Sequence, residues 1–181
     1  MKMINNIIPS LCLLLLSSYV SFSVPILETG IPFTMQSLAV FVIAGFLNPR
    51  EFVITILIYL AIGSVGLPVF SDGSSGIDKI FGSSGGFLYG FIFSGFFISY
   101  NINKKEIIKF TDLVLIFFIA TFILFFFGIL HLSFKFGFSK ALEYGLFPFW
   151  KMGLVKAIIA SAITYLILRM ASEAESATKP L

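Results

Sequence analysis

Residues 66–87 read GLPVFSDGSSGIDKIFGSSGGF and lie between stretches that are apolar enough to live in lipid. We call residues 66–87 the glycine-rich segment. A bilayer offers no hydrogen-bond partners to exposed backbone groups. Irregular chain at membrane depth is therefore tolerated only where protein buries it or where it lines a cavity. The glycine-rich segment is for this reason the first place to look for a ligand site.

The chain as a whole has the composition of an integral membrane protein. It has 181 residues, of which 58% are hydrophobic and 12% are charged, and its mean hydropathy is +1.03. Globular proteins are about half apolar and about one quarter charged. Because a helical span needs roughly 20 apolar residues, the length allows about six spans. We expect an all-α integral membrane protein with one transmembrane domain, residues 1–171, and a short polar tail, residues 172–181.

Breaks between the apolar runs predict a bundle of six transmembrane helices. Pro25, the reversal at residues 48–51 and the charged connector at residues 101–109 mark three of the boundaries. The predicted spans are about 7–24, 33–48, 51–65, 85–100, 111–132 and 147–170. The glycine-rich segment then forms a structured loop between the third and fourth helices.

The distribution of lysine and arginine predicts how the bundle is oriented. Short loops rich in these residues stay on the cytoplasmic side. With both termini cytoplasmic, that side holds Lys2, Arg50, Lys104, Lys105, Lys109, Arg169 and Lys179. The outer loops hold Lys79, Lys135 and Lys140. We therefore expect a multi-pass protein of the cell (inner) membrane with the glycine-rich segment facing outward.

The beginning of the chain permits a second interpretation. Lys2, the apolar run at residues 11–16 and the small residues Ser21 and Ser23 resemble a cleavable signal peptide, whose loss would leave five spans. We favour a retained first helix because the run before Pro25 is nearly long enough to span. On that helix, Ser17-x-x-x-Ser21 is a small-xxx-small pattern that allows close approach of another helix.

Several classes of function find little support in the residues. One histidine and one cysteine, Cys12, exclude an intramolecular disulfide and provide no multi-cysteine metal site. No Gly-Lys-Ser or Gly-Lys-Thr completes a phosphate loop, and the twelve Lys and Arg form no basic stripe for nucleic acid. An intramembrane enzyme would have only His131, Lys151 and Lys156 as plausible catalytic groups. We expect no enzyme, no cofactor and no metal; a scaffold remains a third class, against which the polar segment argues.

Polar groups at the span ends are candidates for binding a small solute, because ionisable groups inside spans are costly and usually functional. Lys156 suits either a ligand or a structural salt bridge, whereas Lys151 is placed to snorkel. Thr34 and Gln36 suit either a ligand or helix capping. The Gly85-Gly86 pair allows close approach of a ligand or of a neighbouring helix.

Three ordered motifs resemble the BioY family, the biotin-binding S components of energy-coupling-factor (ECF) transporters. The motifs are Ile31-Pro32-Phe33-Thr34-Met35-Gln36, Tyr59-Leu60-Ala61-Ile62-Gly63-Ser64-Val65-Gly66-Leu67-Pro68-Val69-Phe70 and Gly82-Ser83-Ser84-Gly85-Gly86-Phe87-Leu88-Tyr89-Gly90-Phe91. The resemblance extends from about Ile31 to Lys156. It implies a six-helix bundle that captures biotin from outside and docks on a transmembrane coupling subunit with two cytoplasmic ATPases.

The resemblance also implies roles for individual residues. The groups expected to serve the urea or carboxylate of biotin are Gln36, Ser83, Ser84 and the backbone of Gly82 to Gly86, which includes Gly85 and Gly86. Thr34 is also expected to bind the substrate. Phe70, Phe87 and Tyr59 are expected to wall the rings, and a lysine is expected to neutralise the carboxylate. Lys156 is among the expected substrate-binding residues. On the first helix, Ser17 and Ser21 are expected to contact the coupling subunit.

One position departs from the family pattern. The family usually carries Pro-Phe-x-Pro-Gly-Asp-x-x-Lys at the sixth helix, whereas this chain has Gly153 at the aspartate position and keeps Lys156. Loss of a charged hydrogen bond in a buried site costs about 1.5–3 kcal/mol. An S component for a different small vitamin or a biotin relative is therefore the alternative, as is a pocket that recruits Asp72, Asp78 or Glu28.

Overall fold

The structure, a computed structural model, describes residues 2–22, 33–105 and 109–178. These residues form eight α-helices, one 3₁₀ turn (Ser71–Gly73) and two short strands, β1 (Ser21–Phe22) and β2 (Phe33–Thr34). The helices are α1 (Lys2–Tyr19), α2 (Gln36–Phe46), α3 (Pro49–Ser64), α4 (Ile77–Phe81), α5 (Gly85–Asn103), α6 (Phe110–Phe136), α7 (Phe138–Gly145) and α8 (Trp150–Thr178).

The long helices agree with an all-helical membrane protein. By length and apolar composition, three of them are sufficient to cross a membrane: Gly85–Asn103, Phe110–Phe136 and Trp150–Glu173. Two shorter helices, Asn6–Tyr19 and Gln36–Phe46, are also apolar. The expectation of an all-α membrane fold is confirmed at this level.

The corner between α2 and α3 forms where the sequence predicted a reversal. Asn48 is the N-cap of α3, and its side-chain oxygen accepts a hydrogen bond from the Glu51 backbone N–H at 3.0 Å. Pro49 occupies the first helical position, where its missing N–H costs nothing. Cap and proline together end one helix and begin the next within two residues.

Four predicted boundaries differ from those of the structure, three of them for a local reason. The first helix ends at Tyr19 rather than near residue 24, and α2 begins at Gln36 rather than 33, because Ser21 and Phe22 pair with Thr34 and Phe33 in an antiparallel ladder. The last span begins at Trp150, after the turn in which the Phe149 N–H donates to the Leu146 carbonyl. That helix continues to Thr178, so most of the stretch expected to be a tail is helical.

Helix α2 is the centre of the bundle. All but three of its residues are buried, and it packs against α1, α5 and α8. Its mostly apolar sequence fits a helix that is covered on nearly every side. Gln36 and Ser37 begin this helix, so the first polar side chains of the central helix lie at one end of the bundle.

Candidate functional site

A cavity of about 330 Å³ lies at the N-terminal end of α2. Its walls come from α2, the glycine-rich segment, the start of α5, the middle of α6 and the start of α8. The apolar lining residues are Phe70, Phe87, Leu88, Phe91, Leu124, Phe125, Phe149, Met152 and Gly153. The polar and charged ones are Thr34, Gln36, Ser37, Ser71, Asp72, Ser74, Lys79, Ser84 and Lys156. Small-molecule pockets are typically of about 300–1,000 Å³, mostly apolar, with a few placed polar groups.

Lys156 connects α8 to the start of α2. Its Nζ donates to the Thr34 carbonyl at 2.5 Å and to the Ser37 hydroxyl at 3.0 Å. Within the described ranges, the ion pairs are Lys105–Asp112 and Arg169–Glu173, so Lys156 is held by neutral acceptors rather than by a carboxylate. Lys156 therefore lines the cavity without a carboxylate partner among the described residues, and an anionic ligand group would meet it there.

The side chain of Gln36 is held from two sides. Its Nε2 donates to the Tyr59 hydroxyl, and its Oε1 accepts from the Ser71 hydroxyl at 3.0 Å. The Tyr59 hydroxyl in turn donates to the Val69 carbonyl at 2.8 Å. These bonds join α2 and α3 to the first part of the glycine-rich segment.

The first half of the glycine-rich segment contains a tight turn. The Phe70 N–H donates to the Ser74 carbonyl at 2.9 Å across a tight turn, in which Asp72 has φ 59° and Gly73 φ 64°. An aspartate tolerates this left-handed conformation better than most residues. The turn therefore brings Ser71, Asp72 and Ser74 to the cavity wall.

The far end of the glycine-rich segment is fixed by His131 of α6. Its Nε2 lies 2.9 Å from the Gly82 carbonyl, and its ring meets the Tyr89 ring edge-on. Lys151 is exposed and lies over the Trp150 ring. Neither residue lines the cavity. Among the described residues, no three His, Cys, Asp or Glu side chains cluster as a metal site would require.

The structure gathers most of the predicted site residues around one cavity. Its wall contains Thr34, Gln36, Phe70, Ser84, Phe87 and Lys156. Ser83, Gly85, Gly86 and Tyr59, which were also predicted to bind the ligand, do not line this cavity. Tyr59 is completely buried behind Gln36.

The two glycines serve helix packing instead of the cavity. A Cβ on Gly85 would lie 1.9 Å from the Ile80 carbonyl oxygen, and one on Gly86 would lie 2.6 Å from the Phe127 carbonyl oxygen. Gly86 therefore lets α5 lie directly against the backbone of α6. Of the two alternatives for this pair, the structure shows the close approach of neighbouring protein backbone.

The two serines expected on the first helix do not share a helical face. Ser17 is in α1, is 8% exposed and donates to the Leu14 carbonyl at 2.8 Å. Ser21 lies beyond the end of α1, in β1 opposite Thr34. The expectation that Ser17 and Ser21 form a small-xxx-small pattern on one helix was wrong, because α1 ends at Tyr19 and Ser21 pairs with β2.

Several cavity residues were not expected from the sequence. Phe91 lies one helical turn after Phe87, so its i, i+4 spacing was a usable signal. Phe125 in α6 had none, because 24 phenylalanines are spread over all the apolar runs. Of the proposed substitute carboxylates, Asp72 lines the cavity and Asp78 does not. Glu28, like Ile31 and Pro32 of the first motif, lies outside the described residues.

The fold and the cavity define a helical membrane protein built around a small-molecule pocket. The family comparison then identifies the kind: the chain belongs to the BioY family, which matches residues 3–173. This is a family of transporters, so the intramembrane-enzyme alternative is wrong.

Named relatives and one solved structure agree with this assignment. The chain is similar to the biotin transporter BioY2 of Lactococcus lactis subsp. cremoris (strain MG1363), at 35% identity over 78% of this chain and 79% of the relative. It is 30% identical to the biotin transporter BioY of Thermotoga maritima over 79% of this chain and 84% of that one. The fold resembles a crystal structure of the S-component for biotin from an ECF-type ABC transporter, with TM-score 0.80 and 20% identity, covering 93% of this chain and 91% of that one.

Proposed function

We propose that this chain is the substrate-specificity subunit of a high-affinity biotin uptake system. The observation that carries the proposal is the aromatic cavity with Lys156 on its wall, in a chain of the BioY family. Biotin combines an apolar fused ring, a urea that donates and accepts, and a carboxylate. The five phenylalanines suit the ring, and the serine and threonine hydroxyls of the wall suit the urea.

The charge of the wall suits the carboxylate. Two lysines, Lys79 and Lys156, and one aspartate, Asp72, line the cavity. An excess of positive charge around a cavity favours an anion. Lys156 sits among groups that only partly neutralise it, so a ligand carboxylate gains a charge-assisted hydrogen bond there.

The proposal extends to how the chain works in the membrane. Helices α1, α2, α3, α5, α6 and α8 form six spans, with both termini cytoplasmic and the cavity toward the outside. A transmembrane coupling subunit and two ATPase subunits supply the energy, and Ser17 and Ser21 remain the proposed residues that contact the coupling subunit.

The orientation is tested by labelling single cysteines with a membrane-impermeant thiol reagent in a Cys12→Ala background. Ser75→Cys should react from outside, and Ser172→Cys should react only after permeabilisation.

A second candidate is an S component for a different small vitamin or a biotin relative. Gly153 favours it, because this cavity residue contributes no carboxylate where the family usually has aspartate. A glycine at that place cannot accept a hydrogen bond from a urea N–H through a side chain. The specificity for biotin would then have to come from other groups.

Binding to the purified protein separates the two candidates. Radiolabelled biotin is titrated against folded protein in detergent, and unlabelled vitamins are then offered as competitors. Saturable binding displaced by biotin alone supports the proposal. Displacement by another vitamin at lower concentration than biotin would support the second candidate, and folded protein without saturable biotin binding would refute the first.

A further inference from the structure

The hydroxyl of Tyr59 lies at the centre of a buried network. Tyr59 is completely buried and Gln36 is 1% exposed. The hydroxyl accepts from Gln36 Nε2 and donates to the Val69 carbonyl at 2.8 Å. One polar group thus joins the first residue of α2 to the glycine-rich segment through the middle of α3.

The network leaves the Gln36 side chain largely occupied by protein. Its carbonyl oxygen accepts from the Ser71 hydroxyl at 3.0 Å and its amide nitrogen donates to Tyr59. Breaking these hydrogen bonds would cost free energy, because the buried amide has no water to replace its partners. Gln36 consequently holds the wall in place.

The segment held by the network is part of the cavity. Val69 and Ser71 flank Phe70, and both Phe70 and Ser71 line the cavity. The Phe70 ring meets the Tyr59 ring edge-on, with 5.6 Å between centroids. It also covers Gly63, where a Cβ would lie 2.2 Å from the ring. The position of this aromatic wall therefore depends on hydrogen bonds on both sides of it.

We propose that Tyr59 is a positioning residue for ligand retention. Its hydroxyl fixes Val69 and Gln36, so that Phe70 and Ser71 stay in the cavity wall, although Tyr59 itself does not line the cavity. The kinetic test of this role rests on the proposed function, because it uses biotin as the ligand. The effect of Tyr59 on the stability of residues 69–74 is tested without a ligand.

The first test compares Tyr59→Phe with Thr55→Val in the full chain. Thr55 is also completely buried on α3, one turn earlier, but its hydroxyl bonds to the Glu51 carbonyl of its own helix. Tyr59→Phe removes only one oxygen, and it takes away the hydrogen-bond partner of the Val69 carbonyl and of Gln36 Nε2. We expect biotin to dissociate roughly tenfold faster from Tyr59→Phe, and within about twofold of the natural rate from Thr55→Val.

A second variant shows whether the network acts as a unit. Ser71→Ala removes the other hydroxyl that holds Gln36. If Tyr59 acts through Gln36 and the wall, the effects of Tyr59→Phe and Ser71→Ala on the dissociation rate are less than additive in the double variant. Fully additive effects would contradict a shared network.

Hydrogen exchange of the ligand-free protein tests the wall directly. Peptides covering residues 69–74 should exchange faster in Tyr59→Phe than in Thr55→Val, because the Phe70 N–H bond to the Ser74 carbonyl lies in the released turn. Equal dissociation rates or equal exchange in the two variants would overturn the proposal. If natural protein fails to bind biotin, the proposed function fails, while the exchange measurement still decides the role of Tyr59.

Discussion

Replacing Lys156 by methionine should weaken binding of an anionic ligand without unfolding the protein. The ammonium group lies on the cavity wall, held by the Thr34 carbonyl at 2.5 Å and the Ser37 hydroxyl at 3.0 Å. A hydrogen bond to a charged group contributes about 1.5–3 kcal/mol. At about 1.4 kcal/mol for each factor of ten, the dissociation constant for biotin should rise roughly 10- to 100-fold. Calorimetric titration of detergent-solubilised protein measures it.

Lys151→Met is the matched control. It removes the same charge from the same helix, but Lys151 is exposed, lies 5.7 Å from the Trp150 ring centroid and does not line the cavity. Its affinity should stay within about twofold of the natural protein, because exposed charges contribute little. Lys156→Met should also retain its melting temperature, since methionine avoids the cost of desolvating a cation. Equal affinities for the two variants would refute the proposed role of Lys156.

Two packing predictions follow from glycines. Gly153→Ala places a Cβ 2.8 Å from the Phe125 ring, so it should push that ring into the cavity and lower the affinity for biotin about tenfold. Adding Phe125→Leu in the same chain should restore most of the affinity. If it does not, the steric explanation is contradicted. Gly86→Ala meets the Cβ of His131 at 2.4 Å and α6 backbone at 2.6 Å, which should destabilise the protein by about 1–3 kcal/mol in thermal unfolding. A Cβ at Gly145 would lie 2.6 Å from a Leu132 methyl group, and its nearest neighbours include no backbone atom. Gly145→Ala should therefore cost less, and an equal loss would count against close α5–α6 packing as the cause.

The main helices could be predicted because their ends carry local chemical markers. Asn48 and Pro49 form a cap and a first turn whose geometry depends on adjacent residues alone. The β1–β2 pairing could not be predicted, because two-residue strands have no alternating pattern to detect. Helix α7 was missed since its charged residues and short length are typical of a loop; only Ala141 and Gly145 of its eight residues are buried.

The sequence predicted which motifs lie near the site better than it predicted which of their residues line the cavity. Motif residues such as Gln36, Phe70 and Phe87 do meet at one cavity. Their division into wall, support and packing depends on helix rotation, which the order of residues along the chain does not fix. Gly86 and Tyr59 illustrate this limit, because a glycine that admits a ligand and one that admits a helix have the same sequence signal.

The absence of an ion-paired carboxylate beside Lys156, within the described residues, gives the ligand a physical role beyond filling space. A lysine in a membrane span is costly unless its charge is balanced. The Thr34 carbonyl and the Ser37 hydroxyl offset part of this cost through hydrogen bonds, but they are neutral. Under the proposed function, an anionic ligand would supply the missing charge and at the same time cover the phenylalanine wall. The affinity for the ligand and the cost of burying the lysine charge are therefore coupled. A neutral amide of biotin would fill the same cavity but leave the charge of Lys156 unbalanced. It should bind more weakly than biotin, by a factor similar to that expected for Lys156→Met.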